Sequence, residues 1–316
     1  MKIINSHTHF VLPVYYNAVM KHGADKEDGF PMPTHWSIEE NVEFMDEVGV
    51  DVSILSLSTP HPHWGDDQES RELCRAINEG IAEDIKKFPE RFRFMGTLPL
   101  PDVAGSIAEA KYTLEKLGAA GVKVPSNAGG IYLGNKILEP LYAELNKLGA
   151  TVFIHPSRPH VLSAGVFTSG PMPIFEYLVD ETRTVIDILT AGVLERYPNI
   201  KFILPHVGAF MPTVIDRLAR ISKHLVETGF MKENVDIYGS MQKFYIDISG
   251  DVLPRNFDNL MTMAAPEKIL FGLDYPHTKR ETLVKNAPVV KEFLHKKYPA
   301  AAELILGSNA AALFNL

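Results

Sequence analysis

Residues 138–156 read LEPLYAELNKLGATVFIHP, and the reading of this stretch decides the fold. Leu138, Leu141, Leu145 and Leu148 recur at spacings of three and four, which lines one face of an α-helix. Gly149 is the natural stop, because the residue after the last turn commonly takes a left-handed conformation. The run that follows, TVFIH, is short, β-branched and aromatic, with no polar alternation. Such a strand is buried on both faces, as in a parallel sheet covered by helices. A helix that returns the chain to a doubly buried strand is half of a βαβ unit.

Outward from this unit the same alternation runs from end to end. Strands are predicted near 2–6, 52–58, 92–98, 121–125, 151–155, 201–205, 244–249 and 269–273. Helices are predicted at 67–88, 103–118, 175–196, 209–226, 256–265, 280–297 and 299–313. A further helix begins at the capping box Ser37-x-x-Glu40 and stops at Gly49. Eight such strands, each followed by a helix, predict a closed parallel (β/α)₈ TIM barrel. It occupies a single domain over residues 1–316, as barrels typically take about 250 residues plus insertions. An open doubly wound sheet is the competing arrangement, but no GxGxxG or Walker sequence follows the first strand. Residues 10–36 and 156–173, rich in Pro and Gly, read as loop insertions at the C-terminal face, where barrel loops shape substrate pockets.

Composition narrows the function. Apolar residues make up 46% and charged residues 22%, enough for a large core. The net charge of −8 is spread without any Lys/Arg block, so neither nucleic acid nor an anionic membrane is an expected partner. One cysteine, Cys74, excludes an internal disulfide framework and suits a reducing compartment. No apolar run reaches membrane-spanning length, and MKIINSHTHF lacks the apolar core of a signal peptide, so the expected location is cytoplasmic.

The chemistry is carried by histidines at strand ends. His7 and His9 are two apart on the first strand, so both imidazoles share one face. His155 ends the fifth strand and Asp274 the eighth, in ILFGLDYP. Strand ends of a closed barrel converge over one opening, so these four form a candidate site for one divalent metal ion. Three imidazoles and a carboxylate suit Zn²⁺ first and Mn²⁺ as an alternative. His206 ends the sixth strand and is cast as a proton carrier beside an open coordination position. His61 and His63, flanked by prolines, read as a pocket-rim loop rather than as a second metal site.

With HTHF, FIHP, LPHVGAFMP and LFGLDYPH in that order, the chain resembles the amidohydrolase superfamily over nearly its whole length. It is most similar to the branch of aminocarboxymuconate-semialdehyde and γ-resorcylate decarboxylases, and within it to 6-methylsalicylate decarboxylases. The resemblance implies metal ligation by His7, His9, His155 and Asp274, with His206 catalytic. It also implies that Arg217, eleven residues after His206, reaches into a neighbouring subunit's site, so a homodimer or higher even oligomer is expected. A second family arginine corresponds to Asn41, which argues against a muconate substrate. Lys123 stands where hydrolases of the superfamily often carry a carboxylated lysine; here it is read as structural or pocket-lining.

The expected reaction is the non-oxidative decarboxylation of a small ortho-hydroxybenzoate-like acid, with His206 and Asp274 handling the proton. Arg217 and Arg158 are candidate anion-binding groups, and Phe10, Trp36, Phe167 and Phe210 candidate walls of an aromatic pocket. The competing expectation is metal-dependent hydrolysis of a lactone or amide, which the same ligands could serve.

Overall fold

A computed structural model describes residues 2–162, 170–231 and 235–316. Eight parallel strands follow one another around a barrel in chain order: β1 (Ile4–Phe10), β2 (Val52–Leu57), β3 (Phe92–Thr97), β4 (Gly121–Pro125), β5 (Thr151–His155), β6 (Lys201–Leu204), β7 (Tyr245–Asp247) and β8 (Ile269–Leu270). The last strand is shorter than its sequence suggests. Beyond Leu270 the chain keeps bonding to β1 instead of β7: Ser6 N–H donates to Phe271 O at 2.8 Å and Asp274 N–H to His7 O at 2.9 Å. These bonds, with a parallel bridge between Thr8 and Tyr275, close the barrel.

Alternation along each strand sorts the side chains into two layers. Ile4, Val52, Ile54, Met95, Phe153, Ile203 and Leu270 pack inside the barrel, capped at its N-terminal end by Leu313 and Phe314. Their neighbours Leu55, Leu57, Phe92, Val122, Val152, Ile154 and Phe202 face the helices. Phe10, expected as a pocket wall, belongs to this outer layer: it is fully buried against Trp36, with ring centroids 6.1 Å apart. It follows His9 directly, so the pleat turns it away from the mouth. The β1–β2 register slips by one residue between Asn5 and Thr8, a bulge beneath His7 of the kind that re-aims side chains beside sites.

The helix of the opening stretch spans Glu139–Leu148 and ends at Gly149 with φ 60°. Ser37 caps its own helix by accepting from Glu40 N–H. Two departures from the sequence reading are local. The first insertion contains a helix, Pro13–Lys21, which seats Tyr15 and Val19 in the core. The final helix, read as continuous, is interrupted by a π-helical turn over Leu304–Ser308. There Gly307 packs so tightly on the Lys2 carbonyl that a Cβ would lie 1.9 Å from the oxygen. The two insertions meet over the mouth, where Met172 N–H donates to Asp28 O at 2.9 Å. Among the described residues no helix is long and apolar enough to cross a membrane.

Candidate metal centre

The closure of the barrel brings His7, His9, His155 and Asp274 together, with one ligand atom from each lying within 4.8 Å of all the others. His7 Nε2 and His9 Nε2 are 3.0 Å apart, and Asp274 Oδ1 lies 3.4 Å from the first and 3.1 Å from the second. The histidines are almost wholly buried and Asp274 is 18% exposed, so the cluster has one open side.

The ring nitrogens facing away from the cluster are all engaged. His7 Nδ1 pairs with Asp247 Oδ2 at 2.9 Å, and the Ser249 hydroxyl lies 3.0 Å from the same nitrogen. His9 Nδ1 is 3.3 Å from the Ser56 carbonyl, and His155 Nδ1 is 3.0 Å from Pro156 O. Donation through Nδ1 fixes each tautomer and leaves each Nε2 lone pair aimed inward. Inward-facing lone pairs at these separations repel unless a cation lies among them. Burial pushes His9 down to about 3 and His155 well below the ordinary histidine range, so neither is a cation at neutral pH. Neutral imidazoles with a carboxylate are the donor set a divalent ion takes, so the residues present fit one.

Asp247 was not singled out in the sequence, although it too stands at a strand end, in FYIDIS. Its Oδ1 accepts from Ser249 N–H at 2.9 Å and from His206 N–H at 3.3 Å, so Asp247 links β7 to His206 as well as to His7. Gly272 permits its approach: a Cβ there would come within 3.0 Å of His7 and 3.1 Å of Asp247.

His206 stands beside the cluster, its Nε2 3.8 Å from Asp274 Oδ2. Its Nδ1 pairs at 2.9 Å with Glu181, a fully buried carboxylate on the helix Glu176–Ala191. Burial opposes charge on His206, but Glu181 and Asp274 outweigh it and hold the imidazole well above the usual range. Burial likewise works against charge on Asp274, yet His206, His7 and His9 hold it well below the carboxylate range. Backbone strain concentrates at these two residues. His206, Val207 and Ala209 have φ of 52°, 60° and 52°, and Asp274 has φ 59°. Left-handed conformations at non-glycine residues cost of order 1–3 kcal/mol each and cluster at functional sites.

The other candidates are dispersed. Arg217, on the helix Met211–Glu227, is exposed and makes no ion pair among the described residues. Arg158 is exposed too, donating to Glu27 O at 3.3 Å. Trp36 is half-buried, Phe210 packs on Phe175 with centroids 5.9 Å apart, and Phe167 lies outside the described residues. His61 donates to Leu100 O at 2.7 Å and His63 pairs with Asp67 at 2.9 Å, so both are tied to the rim. Lys123 is fully buried inside the barrel, and its Nζ has no hydrogen-bond partner among the described residues.

Known proteins share this arrangement of sequence. A family model described as amidohydrolase matches residues 4–316. A 6-methylsalicylic acid decarboxylase from Penicillium expansum is 31% identical over 290 residues, covering 90% of this chain and 88% of that protein. A crystal structure of an amidohydrolase II superposes with a TM-score of 0.92 at 33% identity, covering both chains completely. A dihydroxybenzoic acid decarboxylase from Polaromonas sp. JS666, with bound manganese and the inhibitor 2-nitroresorcinol, gives a TM-score of 0.86 at 22% identity. That superposition covers 100% of this chain and 97% of the other.

Proposed function

This chain belongs to the amidohydrolase family, and from that premise we propose that it is a metal-dependent decarboxylase of small ortho-hydroxy aromatic acids. The observation that carries the proposal is the open-sided cluster of His7, His9, His155 and Asp274 with His206 alongside, in a chain similar over most of its length to a 6-methylsalicylic acid decarboxylase. His7, His9, His155 and Asp274 would hold a divalent ion, which would supply Lewis-acid chemistry toward the substrate's anionic group. Zn²⁺ is the ion we assign, as three imidazoles and one carboxylate are a common zinc set, with Mn²⁺ the alternative.

The remaining work falls to the chain's own groups. Breaking the bond between ring and carboxylate directly would leave an aryl anion, so the ring carbon must receive a proton first. His206 holds that proton, paired with Glu181 on its far nitrogen, and Asp274 conveys it to the ring carbon. Carbon dioxide then departs, and the electron pair of the broken bond returns to the ring. One proton is consumed in each turnover.

The test is to incubate the metal-loaded protein with a panel of hydroxybenzoates and lactones, following CO₂ release against acid release. Decarboxylation in deuterated water should place one deuterium on the carbon that lost its carboxyl group. Lactone or amide opening with no CO₂ from any acid would make the protein a hydrolase instead.

The same reading extends to the whole chain: one barrel domain over residues 1–316, working in the cytoplasm as a homodimer or higher even oligomer. Arg217, exposed eleven residues beyond His206 and without an ion pair among the described residues, is assigned to the neighbouring subunit's substrate anion, and Arg158 to its own. Mixing inactive Arg217→Ala with inactive His206→Ala protein should restore part of the activity through hybrid dimers. A monomer that is fully active at nanomolar concentration excludes the shared site.

A further inference from the structure

His277 ends the motif LFGLDYPH, three residues beyond Asp274, and the reaction just described leaves it without a role. Its ring stands edge-on to His9, with centroids 5.2 Å apart, and is exposed to the mouth of the barrel. His206 instead flanks the His7 side of the cluster, at a centroid distance of 5.3 Å. The two histidines outside the ligand set therefore border different edges of it.

The tautomer of His277 follows from its neighbour. Its Nε2 is hydrogen-bonded to the hydroxyl of Ser58, a fully buried residue just past β2. That hydroxyl has no other acceptor among the described residues, so Ser58 donates and Nε2 accepts. A neutral imidazole that accepts at Nε2 carries its proton on Nδ1. Nδ1 has no partner among the described residues, which leaves an uncommitted N–H donor on an exposed ring in contact with His9.

We propose that His277 Nδ1–H grips the ring oxygen ortho to the substrate's carboxyl group, with Ser58 as the positioning residue that sets its tautomer. The inference rests on the decarboxylase reading and names the substrate feature that is read. During protonation of the ring carbon, that oxygen passes from phenolate to carbonyl character, and it returns when CO₂ leaves. Both forms accept a hydrogen bond, so a neutral donor holds the oxygen throughout. An imidazolium there would favour the phenolate and oppose the shift of electrons into the ring. Specificity of this kind also penalises the analogue lacking the oxygen, which leaves the donor unmatched.

The experiment uses the Zn²⁺-loaded full-length chain, with salicylate and benzoate as probes in isothermal titration. The wild type should bind salicylate more tightly than benzoate. His277→Ala should lose about tenfold in salicylate affinity and leave benzoate nearly unchanged, the worth of one neutral hydrogen bond. His277→Gln, which keeps a donor, should lose less; Ser58→Ala should weaken salicylate in the same direction, and Ser58→Thr restore it. Imidazole ¹⁵N resonances should report a protonated Nδ1 and an unprotonated Nε2 at His277. Equal losses for both acids, no loss, no salicylate binding by the wild type, or a protonated Nε2 each overturns the inference. So does loss of zinc from His277→Ala, which would make the ring a support for the ligands. Should salicylate selectivity depend on His277 while no acid yields CO₂, the decarboxylase reading fails and the oxygen-reading donor stands.

Discussion

Two flanks of the barrel treat their buried polar groups differently. Around β1, β5 and β6 the imidazoles are held from behind: His7 by Asp247, His9 by Ser56, His155 by the Pro156 carbonyl and His206 by Glu181. Around β2, β3 and β4, Lys123 Nζ, Thr97 Oγ1 and His61 Nδ1 are buried without a partner among the described residues, although Lys123 and Thr97 are lateral neighbours in the β3–β4 ladder. Pairing fixes the direction of a lone pair, and a metal needs four such directions at once. Burial is the main cause that lowers Lys123 to about 8 and His61 to about 3, and it lowers His9 on the paired flank to about 3 as well.

The largest loss is expected at the clustered histidines themselves. The double variant His7→Ala/His9→Ala should lose both bound metal and turnover, checked by elemental analysis and CO₂ release; full activity without metal would end the metal-centre assignment. His206→Ala removes a group that is aimed but is not assigned as a ligand. Turnover should fall about 10²–10⁴-fold with metal retained, and loss of metal would make His206 a ligand.

A smaller effect tests the pairing alone. Asp247→Asn keeps the volume but surrenders the charge behind His7, so metal affinity should drop about 10–100-fold. A competition titration with a chelator reads this directly, and an unchanged affinity would show that the hydrogen bond matters only to folding.

The last test concerns stability on the unpaired flank. Lys123 titrates near 8 when folded and near its ordinary 10.5 when unfolded. Between those values the unfolded chain binds a proton that the folded chain does not, so stability should rise as pH climbs from about 8 to 10.5. Lys123→Met should abolish that rise and stabilise the protein at pH 7 by about 3 kcal/mol at most. Urea unfolding at several pH values measures both, and a Lys123→Met protein less stable at pH 7 would show that Nζ is favourably engaged.

Much of the site was legible because a barrel turns a local property into a global one. A residue at the C-terminal end of any strand arrives at the same mouth, so locating His7, His9, His155, His206 and Asp274 at strand ends was enough to gather them. The eight strands were legible for a similar reason, as doubly buried runs separated by striped helices. By contrast, the roles of Phe10 and the last strand were misjudged where closure intervened. Phe10 takes the outer face of β1, and residues 271–274 leave the β7 ladder to bond with β1.

What the sequence determined by itself was therefore the architecture, readable from periodicities of two and 3.6 residues, and the gathering of His7, His9, His155 and Asp274 at strand ends. Only the tertiary structure decided the partners that aim those side chains. Asp247 meets His7 across 240 residues, Glu181 meets His206 across 25, and Ser58 meets His277 across 219. Such pairs depend on the register of the closed barrel and on the rotation of a helix against it, and local hydrophobic patterning specifies neither.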